Sequence, residues 1–263
     1  MHIGWVGLGT IGAGMAARAL NAGHQVTAYA RGQGLAQVEA AGAAVSSDYA
    51  AVAAQSDVLG ICVFSDTQLR EVLFEGGALK AMRPGTVVAI HTTGSPDLAR
   101  EIGARAPAGV AILDATFSGG PAQVAAGELT LMVGGDGEGL ERARPLFELY
   151  ANKIHHVGAL GRGQTIKLLN NLIFASNVQH AAEVLATAEQ QGFDTWQAAR
   201  IFQDCSGSSF AMAMFQAQAP SSRVLTGVKP YLQKDVAAAV SSAASSGIDL
   251  GAFASTADYY RNL

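Results

Sequence analysis

Cysteine, charge and long apolar runs are what this chain has least of. The two cysteines, Cys62 and Cys205, are far apart and lack C-x-x-C spacing, which argues against both a disulfide framework and a thiolate metal site. Only 14% of residues are charged, and the net charge is −4, so nothing draws the chain electrostatically to nucleic acid or to an anionic membrane. No unbroken apolar stretch reaches the ~18 residues a membrane span needs. The first residues carry no basic segment and their apolar run is cut by turn glycines, so no secretory leader is expected and a cytoplasmic location is. Proline is sparse as well, at 7 residues, while glycine is plentiful at 31 and apolar residues make up 49%. At 263 residues such a chain suits one large domain or two modest ones with ample core.

What is present begins at Ile3, in IGWVGLGTIGAGMAARAL. Ile3, Trp5 and Val6 read as a short buried strand that ends at glycine. Gly7, Gly9 and Gly12 then spell G-x-G-x-x-G, and Met15, Ala16, Ala19 and Leu20 follow at helical spacing. In a strand–turn–helix, Gly7 permits the tight turn, Gly9 lets a pyrophosphate approach the backbone, and Gly12 lets helix and strand pack closely. The start of the helix, at Thr10 and Ile11, offers N–H groups and the positive end of a dipole to that anion. The strand before the motif and the helix after it are the context that makes it a dinucleotide site.

Through residue 158, short apolar runs alternate with helical patterns, as in βαβ units around a parallel sheet. The expected strands are His2–Val6, Gln25–Tyr29, Ala44–Ser46, Val58–Phe64, Thr86–His91, Ala111–Ala115, Leu129–Val133 and Lys153–Val157. Gly23 is expected to close the first helix, and Ser95-Pro96-Asp97 marks another helix start, with Ser95 as N-cap. Gly134 to Gly137 reads as a turn before a helix over Leu140–Tyr150. From Gln164 to Gln191 there is neither glycine nor proline, and apolar residues occupy most of the circumference of one long helix, which must be buried between domains or subunits. Only helical patterns follow, with breaks at Gly192, Cys205–Ser209, Pro220–Pro230 and Gly247. A boundary near Gly161 therefore divides a doubly wound α/β domain, residues 1–160, from an all-helical one, 161–263, that begins with the long helix.

Three further stretches bear on chemistry. The second strand ends Tyr29-Ala30-Arg31-Gly32, with no carboxylate from Gln25 to Val38. An acidic residue at that place selects NAD through the ribose 2′-hydroxyl; an arginine suits the 2′-phosphate of NADP, so NADP is favoured with NAD possible. Next, Asp114-Ala115-Thr116-Phe117-Ser118-Gly119-Gly120-Pro121 follows a strand and precedes the helical pattern Pro121–Ala126, where glycine N–H groups and the Ser118 hydroxyl could hold a carboxylate. Finally, Lys167 and Asn171 stand at i and i+4, on one face of the long helix. Ile166, Leu168 and Leu169 surround the lysine with apolar groups that disfavour a charged ammonium, which suits a general acid or base. His155-His156 has no Cys, Asp or Glu at ligand spacing, so no metal is expected.

In order, GLGTIGAGMA, HTTGSP, DATFSGGPAQVAAGELTLMVGG, GRGQTIKLLNN and QKD resemble the signatures of the β-hydroxyacid dehydrogenase family, over residues 3 to about 245. The resemblance implies a Rossmann domain joined by a long helix to an all-helical domain, assembled as a homodimer or homotetramer, and hydride transfer between a nicotinamide and a small hydroxy acid or semialdehyde. It implies Lys167 as the catalytic lysine with Asn171 beside it, and Ser118, Gly119 and Gly120 on the substrate carboxylate. Thr93 is placed beside the nicotinamide, Val63 and Phe64 line the crevice, and Lys234 and Asp235 close over cofactor and substrate. Relatives usually carry Pro-Val where this chain has Thr116-Phe117, and an aromatic where it has Gly227. Imine reductases built on the same scaffold usually lack the helix lysine, so Lys167 speaks against that alternative. A dinucleotide-binding protein without activity would be expected to lose the lysine or the Ser-Gly-Gly loop; both are present.

Overall fold

The computed structural model describes residues 1–217 and 221–262. The chain divides into two compact units, Met1–Lys167 and Leu168–Leu263. In the first unit, eight strands form one sheet in the order β3-β2-β1-β4-β5-β6-β7-β8. In chain order the elements are β1 (His2–Val6), α1 (Thr10–Asn21), β2 (Gln25–Tyr29), α2 (Leu35–Ala40), β3 (Ala44–Ser46), α3 (Tyr49–Ala54) and β4 (Val58–Ile61). Then come α4 (Asp66–Arg70), a π turn at Glu71–Glu75, α5 (Ala78–Ala81), β5 (Val87–Ile90), α6 (Pro96–Arg105), β6 (Ala111–Ser118), α7 (Pro121–Ala126), β7 (Leu129–Gly135), α8 (Gly137–Phe147) and β8 (Ala151–Gly158). The second unit holds most of α9 (Arg162–Gln190), then α10 (Thr195–Asp204), α11 (Phe210–Ala217), α12 (Ser221–Ser245) and α13 (Phe253–Asn262).

β4 and β5, VLGI and VVAI, are buried at every residue, as β-branched and aliphatic runs covered on both faces of a parallel sheet must be. The strand–helix alternation yields the expected doubly wound sheet, with one departure. β6 pairs antiparallel with β7, and β8 returns parallel to β7. The connection from Ser118 to Leu129 holds only the six-residue α7, Pro121–Ala126, too short for a parallel crossover, so the strand turns back.

Several boundaries differ from the sequence reading. β4 stops at Ile61, which leaves Val63 and Phe64 in the loop beyond the strand. β6 continues to Ser118, where it still pairs with Thr130 of β7. Gly134 and Gly135, read as a turn, complete β7; Asp136 caps α8 by accepting the Gly139 N–H, so that helix starts at Gly137 rather than Leu140. The break expected over Pro220–Pro230 fails at its far end: α12 runs through Gly227 and Pro230, and Pro220 itself lies outside the described residues. Ser95 caps α6 as expected, accepting the Asp97 N–H at 3.1 Å ahead of Pro96.

In the second unit the core is formed by Leu172, Ala175, Val178, Ala181 and Leu185 of α9 with Phe215, Val224, Leu232, Val236 and Tyr260. The Tyr260 hydroxyl donates to the Ala175 carbonyl at 3.1 Å, tying α13 to α9. The other face of α9 exposes Ile166, Leu169, Ile173 and Val184 in the single chain.

Candidate active site

The glycine turn is built as its spacing demands. Gly7 has φ +99°, and a Cβ there would stand 2.3 Å from the Cys62 carbonyl oxygen. A Cβ on Gly12 would lie 2.0 Å from the Gly7 carbonyl oxygen, so α1 closes on the end of β1 only because Gly12 is bare. Gly9 is different. Its backbone is extended, at φ −74° and ψ −179°, and nothing lies within 4 Å of where its Cβ would be. α1 has no side-chain cap and no acidic residue in its first turn. An open helix N-terminus over a bare glycine fits a pyrophosphate, and the residues present therefore suit a dinucleotide.

At the end of β2, Arg31 projects into solvent and its Nη1 meets Glu71 Oε1 at 3.2 Å. Tyr49 donates its hydroxyl to the same oxygen at 3.0 Å, and its ring stacks on Tyr29 with centroids 3.8 Å apart. Burial, reinforced by bonds to Tyr29 and Glu71, raises the Tyr49 hydroxyl above its ordinary pKa and keeps it a donor.

The loop after β4 is tied to the loop after β5, and that loop and β6 are tied to the first turn of α9. The Val63 N–H donates to Thr92 Oγ1 at 3.0 Å. Gln164 accepts the Gly94 N–H at 2.8 Å and donates to the Thr92 carbonyl at 2.7 Å, so one buried side chain grips both peptide groups that flank Thr93. Asp114, fully buried on β6, accepts the N–H groups of Gly161 at 2.9 Å and Gln164 at 2.7 Å, and so caps α9. Burial raises the pKa of Asp114, while these backbone bonds oppose the shift. Thr116 Oγ1 donates to the Gly163 carbonyl at 3.0 Å, where proline could offer no such bond. One turn further along α9, the Lys167 Nζ stands 6.0 Å from the centroid of the Phe117 ring, next in sequence to Ser118. Gly119 has φ +126°, a conformation that L side chains rarely adopt, and the Gly120 N–H is held by Gln123 Oε1 at 2.9 Å.

In the second unit Asn171 and Asp235 are both buried and bonded to each other, Asn171 Nδ2 donating to Asp235 Oδ2 at 2.5 Å. Lys234 Nζ lies 2.9 Å from the other oxygen of Asp235. In the first unit the chain thus brings Lys167 to Phe117 and Gln164 to the peptide groups flanking Thr93; in the second, Asn171, Asp235 and Lys234 meet on α9 and α12. A cleft of about 550 Å³ between α6, β6 and α8, lined by Arg100, Ile112 and Asp136, contains none of the expected site residues. Among the described residues no group of three His, Cys, Asp or Glu side chains could hold a metal ion, and no helix is long and apolar enough to cross a membrane.

Residues 2–158 match the family described as the NAD-binding domain of 6-phosphogluconate dehydrogenase, and residues 161–263 match that described as NAD-binding of NADP-dependent 3-hydroxyisobutyrate dehydrogenase. The chain belongs to the β-hydroxyacid dehydrogenase family. It is 36% identical to the NAD-dependent L-serine dehydrogenase of Pseudomonas aeruginosa, over 93% of this chain and 86% of that one. Among solved structures, the Mycobacterium tuberculosis 3-hydroxyisobutyrate dehydrogenase with L-serine is 31% identical, with a TM-score of 0.86, 99% of this chain and 92% of that one being covered. The 3-hydroxyisobutyrate dehydrogenase of Salmonella typhimurium is 27% identical, with a TM-score of 0.88 over 100% of this chain and 93% of that one. As a β-hydroxyacid dehydrogenase the chain is an NAD(P)-dependent oxidoreductase. Sequence reasoning left Asp114 and Gln164 without a role and missed Tyr49 and Glu71. Asp114 and Gln164 were readable only as members of longer motifs. Glu71 lies 40 residues from Arg31, with no pattern to join them.

Proposed function

We propose that this chain is an NADP-preferring oxidoreductase that interconverts a small 3-hydroxy acid and its semialdehyde, with Lys167 as the general acid and base. The observation that supports this is the Lys167 amine 6.0 Å from the centroid of the Phe117 ring, next in sequence to Ser118, on a helix whose Gln164 bonds the peptide groups on either side of Thr93. In the oxidative direction Lys167 takes the hydroxyl proton while the hydride on the same carbon leaves for the bound nicotinamide; in reduction the lysine returns that proton. The nicotinamide supplies the hydride chemistry, and the protein orients the substrate and moves the proton. Ser118 and Gly119 take the carboxylate, with Gly120, whose N–H is held by Gln123, lining the same loop. Asn171, fixed by Asp235, positions the reacting oxygen, and Lys234 serves the cofactor. The glycine turn with Thr10 and Ile11 receives the pyrophosphate, Val63, Phe64 and Thr93 the nicotinamide half, and Arg31 the 2′-phosphate.

The substrate class is supported by two relatives, one an L-serine dehydrogenase and one solved with L-serine, which is itself a 3-hydroxy acid. NADP preference rests on Arg31 and on the absence of a carboxylate from Gln25 to Val38, against the NAD dependence of the Pseudomonas relative. Residues 1–160 form the cofactor domain and 161–263 the substrate and dimerisation domain of this proposal, in a homodimer or homotetramer. A panel of 3-hydroxy acids, L-serine included, with NADP and NAD tests it on wild type and Lys167→Ala. Loss of ~10²–10⁴ in kcat in the variant, with dinucleotide affinity kept, is expected for a general acid–base residue; wild-type kcat in the variant overturns the proposal.

A further inference from the structure

The end of β2 is where an α/β dinucleotide fold meets the adenosine ribose, so whatever charge stands there selects between a hydroxyl and a phosphate. The strand itself supplies Arg31 and no acid. A carboxylate nevertheless arrives from elsewhere. Glu71, the first residue of the π turn after α4, places Oε1 3.2 Å from Arg31 Nη1. The two side chains are 60% and 37% exposed, so the ion pair is weak and an incoming phosphate can take Arg31 from it. The carboxylate does not leave as readily as the arginine. It accepts the Tyr49 hydroxyl at 3.0 Å, and Tyr49 is stacked face to face on Tyr29, two residues before Arg31.

We infer that Glu71 is a specificity-determining residue of the cofactor site: held in place by Tyr49, it neutralises Arg31 and lowers the preference for a ribose 2′-phosphate over a 2′-hydroxyl. This rests on Arg31 receiving the 2′-phosphate, as proposed above. In the absence of ligand the pair presents almost no net charge to the ribose. A bound 2′-phosphate, bearing about −1.5 to −2 near neutrality, gains the arginine but must lie close to a carboxylate fixed by the two tyrosines. A 2′-hydroxyl meets no such repulsion. The missing β2 acid is thereby partly replaced from a distant turn.

The test uses two fragments that differ only at the 2′ position, 2′,5′-ADP and 5′-AMP, titrated calorimetrically into the full chain. Glu71→Gln keeps an acceptor for Tyr49 and removes the charge. It is expected to tighten 2′,5′-ADP binding by about fivefold, the size of one like-charge contact in a solvent-rich site, and to leave 5′-AMP within about twofold. The gain should shrink in about 0.5 M NaCl, where exposed charges are screened. If Glu71→Gln leaves 2′,5′-ADP unchanged while Arg31→Ala still weakens it, this inference is wrong and the role of Arg31 stands. If Glu71→Gln weakens 5′-AMP, the carboxylate serves the ribose hydroxyls and the inference is again wrong. If Arg31→Ala leaves both ligands bound as before, the NADP assignment fails and the inference falls with it.

Discussion

Asp114 accepts the backbone N–H of Gln164 at 2.7 Å, a bond from the middle of the sheet to the first turn of the helix that carries Lys167. Gln164 in turn spans Thr92 and Gly94, on either side of Thr93. Thr93, the residue expected beside the nicotinamide, is therefore tied by the Gln164 side chain to the helix that carries Lys167, and a buried carboxylate holds the backbone of that same glutamine.

Gln164→Leu removes both side-chain bonds and strands a buried N–H and a buried carbonyl. Each is expected to cost about 1–3 kcal/mol of stability, read as a lower midpoint in urea unfolding. Loosening the Thr93 loop relative to Lys167 should also lower kcat by about 10²-fold, the usual penalty for a misplaced reacting group. Unchanged kcat in a folded variant would remove Gln164 from the positioning of the site.

Gly9 and Gly12 should respond differently to the same substitution. A Cβ on Gly12 collides with the Gly7 carbonyl at 2.0 Å, so Gly12→Ala is expected to destabilise the domain. Gly9→Ala meets no protein atom and requires no unusual backbone, so its Tm should stay within about 1 °C of wild type. Dinucleotide affinity should nevertheless fall at least ~10-fold in Gly9→Ala, because the added methyl occupies the pyrophosphate approach. Cofactor titration of Gly9→Ala settles the point; retained affinity would place the phosphates elsewhere.

Phe117 is next in sequence to Ser118, and its ring lies 6.0 Å from Lys167 Nζ. Phe117→Val should open space beside Ser118. The ratio of kcat/KM for 3-hydroxy acids with a larger substituent at C2 over unsubstituted ones is expected to rise about tenfold, within the range of one or two methylenes in an apolar pocket. A ratio unmoved by the substitution would mean that the ring does not border the substrate.

His91 makes folding stability depend on pH. It is fully buried, with Nδ1 2.6 Å from the Ala115 carbonyl and Nε2 3.1 Å from the Tyr150 hydroxyl. Burial lowers its pKa from 6.5 to about 4, against the opposing carbonyl bond. The folded state therefore binds fewer protons than the unfolded state between these values, and stability rises with pH across the window. This contribution is complete above pH 6.5 and is lost as the pH falls towards 4, by about 3 kcal/mol in all. Urea unfolding at pH 7, 6, 5 and 4 should give a steeper acid slope for wild type than for His91→Gln, although the variant starts less stable.

Much of the fold can be read from local pattern. The strands β1, β2 and β3 have the expected limits, and for β1 and β2 the reason is local: an apolar run stops just before Gly7 in one and Ala30-Arg31 in the other. So is the cap at Ser95. The reversal at β7 was not legible, since strand direction depends on how far the short α7 can carry the chain. Nor was the passage of α12 through Pro230, where helical packing around Leu232 and Val236 prevails over a local breaker.

The sequence by itself determined the glycine turn, the long helix, the sheet's first half and the Lys167–Asn171 spacing, all of which follow from backbone sterics and periodicity within a few residues. Tertiary structure alone decided that Glu71 meets Arg31, that Gln164 encloses Thr93 and that Asp114 caps the lysine helix. These partners lie 40, about 70 and 50 residues apart. No local rule joins residues at such separations: the buried polar groups of Asp114 and Gln164 must find partners in place of water, and the exposed Arg31 and Glu71 meet because the fold sets the turn after α4 beside the end of β2.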